Sequence, residues 1–268
     1  MNATHLRIDR GSNSPYALDI SYHDVPMRGL PDALEGMVCV QITDLHAGMG
    51  NIEPVHAEIV RRVQEIKPDL LLFTGDYIDR HAPDNRLKSL PVQEVMASLE
   101  APLGKFGVFG NHDHTRGVVG AKRILEAAGV VPLWNENRQL PQGIWLAGID
   151  DVRTGTPRIQ EALAGIPENV TPLVLSHNPS IFDFTPRREM VLFAGHTHGG
   201  QIVPPLLSPK IICRLRLQCR YVAGWYRKGV ARLYVSRGIG MTGKPFRYRC
   251  PAEIAVFRLI NTEDTPRI

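Results

Sequence analysis

Carboxylate, imidazole and amide side chains follow five short apolar runs of this sequence, each run having the length of a buried strand. The residues concerned are Asp44, His46, Asp76, Asn111, His112, His177, His196 and His198. They include five of the ten histidines in the chain. A single histidine after a strand is usually structural, but five such positions in one chain favour a shared site.

The mixture of donor atoms indicates which ligand this shared site would hold. Imidazole, carboxylate and amide oxygen together suit divalent Mn²⁺, Fe²⁺ or Zn²⁺ better than Ca²⁺. A carboxylate has two oxygens, so Asp76 could bind two cations at once, and the number of ligands indicates two ions. Two ions about 3.5–4 Å apart can bind a phosphoryl group, activate a water between them and stabilise the leaving oxygen. This pattern predicts phosphoester hydrolysis with two divalent metal ions.

Two predicted strands show how the fold would position these ligands. The apolar residues 69–73 predict a strand that leads into Asp76, and residues 37–43 predict another that ends before Asp44. Ligands gather at the carboxyl ends of strands in open α/β sheets. Residues two apart in an extended segment point the same way, so Asp44 and His46 would aim at one point. A helix predicted from residue 54 to 66 completes a right-handed β-α-β unit.

The remaining pattern predicts a single α/β domain over residues 1–268, with no convincing linker or repeat. Residues 1–15 are polar and are expected to be loose. Further helices and strands are predicted by apolar periodicity and by glycine and proline boundaries. The predicted helices cover 91–100 and 116–128, and the predicted strands cover 16–25, 106–109, 143–149, 171–175, 190–193, 232–236 and 253–259.

Composition is ordinary for a soluble globular protein, with 43% hydrophobic and 22% charged residues. No run has the length of a signal peptide or of a transmembrane helix, so a cytoplasmic location is expected. The four cysteines show no CxxC spacing and are expected to be reduced thiols.

Charge is unevenly distributed along the chain. Residues 1–189 hold 18 basic and 24 acidic residues, whereas residues 190–252 hold 11 basic residues and no acidic ones. Residues 202–228 combine basic and apolar side chains and are predicted to form a cap near the mouth of the site. This cap would contact an anionic membrane peripherally, at its inner surface, or hold an amphiphilic phosphoester. The alternative is a solvated flap whose apolar residues pack on the sheet. Nucleic acid is an unlikely partner, and no obligate protein partner is implied.

Five motifs in order resemble those of the calcineurin-like metallophosphoesterases. They are Asp44-x-His46, Gly75-Asp76-x-x-Asp79, Gly110-Asn111-His112-Asp113, Ser176-His177 and Gly195-His196-Thr197-His198, which together span well over half the chain. One such motif is weak, but the ordered set is specific. Residues 195–201 and 236–240 resemble a bacterial subgroup of small phosphodiesterases, the YkuE/YaeI-like proteins. The resemblance implies a four-layer αββα sandwich of two mixed β-sheets flanked by helices.

The resemblance also implies a role for each matching residue. The first ion would be held by Asp44, His46, Asp76 and His198. The second would be held by Asp76, Asn111, His177 and His196. His112 would be a catalytic group that donates a proton to the leaving oxygen or binds the phosphate, oriented by Asp113. Residues 75–80 also resemble the Ser/Thr protein phosphatases, which implies that Arg80 would contact the substrate phosphate. Arg237 follows a predicted strand in a glycine-rich turn and would contact substrate or be a structural surface arginine. Asp79 would orient groups near the ions or only stabilise its turn, and His114 would be solvated.

Several functions remain open at this point. A phosphodiester or pyrophosphate-linked molecule is the expected substrate, and a UDP-sugar lipid of envelope synthesis is one alternative. A protein phosphatase is another, although the third motif ends in Asp113 rather than glutamate and Phe109 stands where that branch carries an arginine. A scaffold without activity is a further alternative, but such a scaffold would have lost ligands and none is lost here.

Overall fold

The computed structural model describes residues 5–9, 17–48, 55–82, 91–217 and 219–262, the first range as backbone only. The strands in these ranges are β1 (His5–Asp9), β2 (Leu18–Met27), β3 (Val38–Ile42), β4 (Leu70–Phe73), β5 (Lys105–Gly107), β6 (Val130–Pro132), β7 (Glu136–Gln139), β8 (Trp145–Ile149), β9 (Leu173–Ser176), β10 (Val191–Ala194), β11 (Gly224–Lys228), β12 (Ala231–Val235) and β13 (Ala252–Asn261). The α-helices are α1 (His56–Ile66), α2 (Pro91–Ser98), α3 (Asn111–Arg116), α4 (Val118–Ala127), α5 (Ile159–Leu163) and α6 (Pro209–Leu217).

These strands form two mixed sheets. The first sheet has the order β1-β2-β13-β3-β4-β5-β6, in which β3 to β6 are parallel and β13 runs antiparallel to β3. The second has the order β11-β12-β10-β9-β8-β7, with four parallel central strands and an antiparallel strand at each edge. The carboxyl ends of the central parallel strands carry the predicted ligands.

Alternating side chains of each sheet build separate apolar layers. Within β3, Cys39 packs between the two sheets, whereas its neighbour Val40 packs against the helices. In α1, Ile59 and Val63 lie one turn apart and face that same helix–sheet layer. A third layer joins the second sheet to α5 through residues such as Ala162. The architecture is therefore a four-layer αββα sandwich, which confirms the predicted fold class.

The structure differs from the predictions at several places, and it adds β6, β7, β11 and α5, which were not predicted. The segment expected to be loose contains β1, which pairs antiparallel with β2. In place of the single helix predicted at 116–128, α3 ends at Arg116 and α4 begins at Val118. Gly117 separates the two helices with a φ of 107°, a conformation that favours glycine. The predicted cap at 202–228 is not one unit. Its first half contains α6, which begins at the predicted Ser208-Pro209 position, whereas β11 is an edge strand of the second sheet.

Within the described ranges, no helix combines the length and the apolar character needed to cross a bilayer.

Candidate metal centre

The predicted ligands converge where the carboxyl ends of the central parallel strands of the two sheets meet. In the first sheet they follow β3, β4 and β5, and in the second they follow β9 and β10. All are buried except Asn111, which is partly exposed at the start of α3. The ligands contributed by the first sheet are Asp44, His46, Asp76 and Asn111, and those contributed by the second are His177, His196 and His198.

Most of these ligands sit on strained backbone. Left-handed φ angles are unfavourable for residues other than glycine and tend to cluster at functional sites. Half of the ten described non-glycine residues with positive φ are candidate ligands. They are Asp44 (54°), His46 (47°), Asp76 (55°), His196 (72°) and His198 (51°). The turns after the strands are therefore bent to aim side chains at a common point.

Close backbone approach joins the loops after β4 and β5. Gly75 has a φ of 92°, and a Cβ on it would lie 2.6 Å from the backbone nitrogen of Gly110. A Cβ on Gly110 would lie 2.1 Å from Asp76 Oδ1. The glycines of both motifs are required because the two loops touch with no room for a side chain.

The first group of donor atoms surrounds a point between the two sheets. His46 Nε2 lies 3.0 Å from His198 Nε2 and 3.5 Å from Asp76 Oδ2. His198 Nε2 lies 3.4 Å from Asp44 Oδ1. These four residues are the set predicted for the first ion.

The second group adjoins the first through one shared atom. Asp76 Oδ2 also lies 3.2 Å from His177 Nε2. Asn111 Oδ1 lies 3.2 Å from His177 Nε2 and 2.8 Å from His196 Nδ1. The structure therefore brings together all four residues predicted for the second ion.

The spacing within each group fits a metal ion. Atoms bound at about 2.1 Å to one ion are separated by about 3.0 Å in octahedral and about 3.4 Å in tetrahedral geometry. Two pairs of ring nitrogens also face each other at such distances, His46 with His198 at 3.0 Å and His177 with His196 at 3.2 Å. Lone pairs so placed repel unless a proton or a cation lies between them, so the donor set fits divalent ions.

Hydrogen bonds on the far side of two rings select the ligating nitrogen. His177 Nδ1 lies 2.8 Å from the carbonyl oxygen of Thr74, which can only accept, so Nδ1 carries the proton. His46 Nδ1 lies 3.1 Å from Asp79 Oδ2 in the same manner. Both Nε2 lone pairs are then available to a metal, an arrangement common in protein metal sites.

Carboxylates and imidazoles stabilise each other's charge in this site. Burial alone would lower the pKa of His46, but Asp44 and Asp79 outweigh it and raise that pKa to about 9. Burial is likewise outweighed at His177, where Asp76 raises the pKa to about 10. Burial would raise the pKa of Asp76, but His177 and His46 hold it well below its usual range. A divalent ion would take the place of these ring protons.

His112 lies beside the ligands but differs from them in protonation. Its Nδ1 accepts a hydrogen bond of 2.9 Å from the backbone N–H of Arg80, so the proton of the neutral ring is on Nε2. Burial lowers the pKa of His112 to about 4. Its ring lies edge-on to that of His46, with 4.5 Å between centroids. His112 is thus placed to donate a hydrogen bond at the edge of the metal site.

The prediction that Asp113 orients His112 is wrong. Asp113 Oδ2 accepts from the backbone N–H of Asp76 and of Gly110, both at 2.8 Å, and Oδ1 accepts from Tyr77 N–H at 3.1 Å. The α3 helix begins directly after Gly110, and its first turn directs the Asp113 side chain toward the backbone of the neighbouring loop rather than toward His112. Asp113 therefore fixes the backbone that carries Asp76, the predicted bridging ligand.

Asp79 orients the ring of His46 rather than that of His112, whose Nδ1 accepts from Arg80 N–H. Its Oδ2 lies 3.1 Å from His46 Nδ1 and 3.5 Å from His112 Nδ1. Its Oδ1 accepts from the backbone N–H of His81 at 2.8 Å. The two roles left open for Asp79 are therefore both present, since it orients a ligand and stabilises its own turn.

The two arginines predicted to contact substrate lie in different settings. Arg80 is exposed, and its guanidinium donates to His81 at 3.1 Å. Arg237 is largely buried, with Nη2 at 3.2 Å from Asp19 and 3.7 Å from Glu253. The charge of Arg237 is therefore balanced within the protein, which makes it a structural residue in this conformation.

Arg247 is a site residue that sequence reasoning missed. Its guanidinium donates to the carbonyls of Gly238 (3.1 Å) and Gly240 (2.6 Å) and to that of His198 (3.4 Å). Gly240 in turn donates its N–H to the Asp44 carbonyl at 2.7 Å. Arg247 thus ties together two loops that carry or support metal ligands. An arginine in a proline- and glycine-rich stretch gives no sequence signal for such a role.

The expectation that His114 is solvated is also wrong. Its Nε2 lies 2.6 Å from Asp150 Oδ1, and the side chain is only 10% exposed. Burial alone would lower the pKa of His114, but Asp150 outweighs it and raises that pKa. Burial is similarly outweighed at Asp150, where His114 lowers the pKa to about 2. The sequence showed Asp150 only as a residue after a strand.

Removing this ion pair is expected to change stability in a pH-dependent way. The stabilisation by His114 is complete below pH about 6.5 and is lost as pH rises through its raised pKa, whereas that by Asp150 is lost only near pH 2. His114→Gln should therefore lower the melting temperature most near pH 5.5 and least near pH 9. Allowing for solvent screening, the effect is about 1 kcal/mol or less, or roughly 2–4 °C.

Thermal unfolding at the two pH values checks this expectation. His81→Gln, at an exposed position of the same region, is the matched control for general effects of pH and metal content. A melting-temperature difference between wild type and His114→Gln that does not vary with pH would contradict the ion pair.

Known proteins share this sequence pattern and fold. The family model of the calcineurin-like phosphoesterases matches residues 37–200. A Bacillus subtilis protein, the uncharacterized metallophosphoesterase YkuE, is 32% identical over 255 residues, covering 92% of this chain and 87% of its own length. A Danio rerio protein named transmembrane protein with metallophosphoesterase domain is 29% identical, covering 90% of this chain but only 56% of its own length.

A solved structure supports the same fold. The crystal structure of a candidate 5′-nucleotidase from Staphylococcus aureus superposes with a TM-score of 0.50 at 10% identity, covering 87% of this chain and 56% of that one. At this identity the likeness concerns the fold alone. The family match, the YkuE likeness and the clustered aspartate and histidine ligands together show that the chain belongs to the calcineurin-like phosphoesterase family and is a metal-dependent phosphoester hydrolase.

Proposed function

We propose that this protein is a dinuclear phosphodiesterase whose two metal sites share Asp76. The observation that carries the proposal is that Asp76 Oδ2 lies within 3.5 Å of His46 Nε2 and within 3.2 Å of His177 Nε2. One carboxylate oxygen therefore borders both donor groups. Two divalent ions held there would bind the phosphoryl oxygens and supply an activated water as the nucleophile.

The protein's own residues would position the substrate and handle the leaving group. Asp44, held by the backbone N–H of His196 at 3.0 Å, is kept as an anionic ligand of one site. Asn111 offers a neutral oxygen to the other, which leaves that site more electrophilic toward a phosphate oxygen. His112, with its proton on Nε2, would donate to the leaving oxygen or to a phosphoryl oxygen. Proton donation of this kind contributes roughly 10²–10⁴ in rate.

The buried arginines favour a diester over a monoester. A monoester carries one more negative charge than a diester and gains from a free guanidinium beside the metal ions. Arg237 is paired with Asp19 and Glu253, and Arg247 donates to backbone carbonyls. Neither residue offers its charge to the substrate in this conformation, which favours the singly charged diester and leaves the exposed Arg80 as the guanidinium that would contact it.

The test is hydrolysis by metal-stripped protein that is then supplied with Mn²⁺, Zn²⁺, Fe²⁺ or Mg²⁺. Paired aryl phosphate monoester and diester substrates with the same leaving group separate the two activities. We expect metal to restore activity, with the higher kcat/KM on the diester. A monoester preference would contradict the assignment of substrate class, and full metal loading without activity on either substrate would contradict the proposed reaction.

A pyrophosphate-linked amphiphile, such as a UDP-sugar lipid, is a second candidate substrate. Exposed apolar side chains at Leu206 and Leu207 favour it, and the Danio rerio relative is named as a transmembrane protein. Hydrolysis at the pyrophosphate would release a nucleoside monophosphate, which chromatography detects. Turnover of the lipid-linked substrate no faster than that of a short-chain analogue would count against this candidate.

A further inference from the structure

Five large apolar side chains are exposed on two segments that follow the last metal ligand. They are Leu206 (103% exposed), Leu207 (45%), Ile211 (46%), Phe246 (44%) and Tyr248 (46%), here called the apolar rim. A solvated flap at 202–228 with its apolar residues packed on the sheet would have buried the three that lie in that range, Leu206, Leu207 and Ile211. Trp225 and Tyr226, by contrast, are half-buried on the edge strand β11. Leu206, Leu207 and Ile211 are thus the part of the predicted cap that lacks cover among the described residues, and Phe246 and Tyr248 extend the exposed surface from outside the cap.

Hydrogen bonds join the two segments of the apolar rim into one unit. Val203 donates its N–H to the Tyr248 carbonyl, and Tyr248 donates to the Gln201 carbonyl, both at 2.9 Å. The side-chain amide of Gln201 donates to the Lys244 carbonyl at 2.9 Å and to the Phe246 carbonyl at 3.3 Å. The exposed side chains of both segments are therefore held in a fixed relation to each other.

The same unit is fastened to the metal centre. Gln201 lies three residues after His198, and α6 packs on the turn from His198 to Gly200. Thr242 Oγ1 donates to Asp79 Oδ2 at 3.2 Å, the oxygen that also faces His46. A surface bound by the apolar rim would consequently lie close to the entrance of the metal site.

Leu206 is the most exposed member and the most strained. Its φ of 68° is rare for a leucine, and its side chain is fully in water. Neither property helps the free protein, and strained, exposed residues of this kind are typical of binding sites. The tip of the segment is thus shaped to present an apolar side chain outward.

Cationic side chains lie in the same two segments as the apolar rim. Lys210, Arg214, Lys244 and Arg249 are all exposed. Residues 190–252 contain no aspartate or glutamate, so no acidic side chain from this part of the chain offsets them. Apolar side chains flanked by cations match an interface whose outer layer is anionic and whose interior is apolar. An anionic phospholipid bilayer has that structure.

We propose that the apolar rim inserts into the interface of an anionic bilayer and turns the entrance of the metal site toward the lipid headgroups. Leu206 and Leu207 enter the acyl boundary, while Lys210 and Lys244 remain at the level of the headgroup phosphates. Binding of this kind requires no catalysis, so it is tested independently of the proposed phosphodiesterase reaction.

Vesicle flotation of the full chain tests the inference. One set of vesicles is pure phosphatidylcholine, and the other contains about one third phosphatidylglycerol. We expect the wild type to float with the anionic vesicles at about 0.1 M salt, and to be released progressively at higher salt. The double substitution Leu206→Ser with Leu207→Ser should lower the partition constant for vesicle binding about tenfold or more, because the apolar area that enters the interface is lost.

Val119→Ser is the matched control, because Val119 is 60% exposed on α4, outside the apolar rim. It should bind as the wild type does. Wild-type protein that stays unbound to anionic vesicles even at low salt would overturn the inference. So would a leucine double variant that binds as tightly as the wild type, since binding would then be electrostatic adsorption without insertion.

Discussion

Asp76→Asn is expected to abolish phosphoester hydrolysis and to lower metal content from two ions per chain to less than one. Asparagine retains a side-chain oxygen that can accept from the backbone N–H of His112, as Asp76 Oδ1 does at 2.8 Å. The local fold should therefore survive. It removes the negative charge and the oxygen shared between the two donor groups. We expect kcat/KM to fall by about 10³ or more, about 4 kcal/mol of transition-state stabilisation.

Metal analysis and steady-state kinetics on the same preparations measure both effects. Asp32→Asn, a substitution of an exposed aspartate outside the site, is the control for the loss of one carboxylate. Turnover by Asp76→Asn near that of the wild type would show that Asp76 does not bridge two ions.

His112→Ala is expected to keep both metal ions and to lower kcat by roughly 10²–10⁴. The hydrogen bond from Arg80 N–H occupies Nδ1 and leaves a proton on Nε2, which makes His112 a donor rather than a ligand. A donor to the leaving oxygen matters most when the leaving group is a poor one. The loss should therefore be larger for an alkyl diester than for an aryl diester with an acidic phenol.

Comparing the two diesters separates proton donation from other roles of His112. Equal losses on both would indicate that it binds the phosphoryl group instead. Loss of metal from His112→Ala would place it among the ligands and contradict its assignment. His114→Gln, two residues away and paired with Asp150, provides the control and should retain most of the turnover.

The ligands themselves could be predicted because their placement follows from local rules. Asp44, Asp76, His177 and His196 each come within three residues of the end of a parallel strand. The ends of neighbouring parallel strands share one edge of a sheet, so strand prediction alone brings these residues together. The resemblance added the assignment of each ligand to one of the two ions and the separate role of His112.

The partners of these ligands could not be predicted in the same way. Asp113 contacts backbone 36 and 37 residues earlier, and Arg247 donates to the carbonyl of His198, 49 residues earlier. Such contacts depend on which loops the packed sheets bring together, and no local pattern encodes them. The polar strand β7 was missed for a related reason. Its residues Glu136–Gln139 lack apolar alternation, and β8 supplies the pairing that makes them a strand.

The most direct test of the two-ion centre is anomalous diffraction from crystals of the protein loaded with Mn²⁺. We expect two peaks per chain about 3.5–4 Å apart. Asp76 should lie between them, with His46 and His198 beside one peak and His177 and His196 beside the other. A single peak at full loading, or two peaks without Asp76 between them, would contradict the shared site.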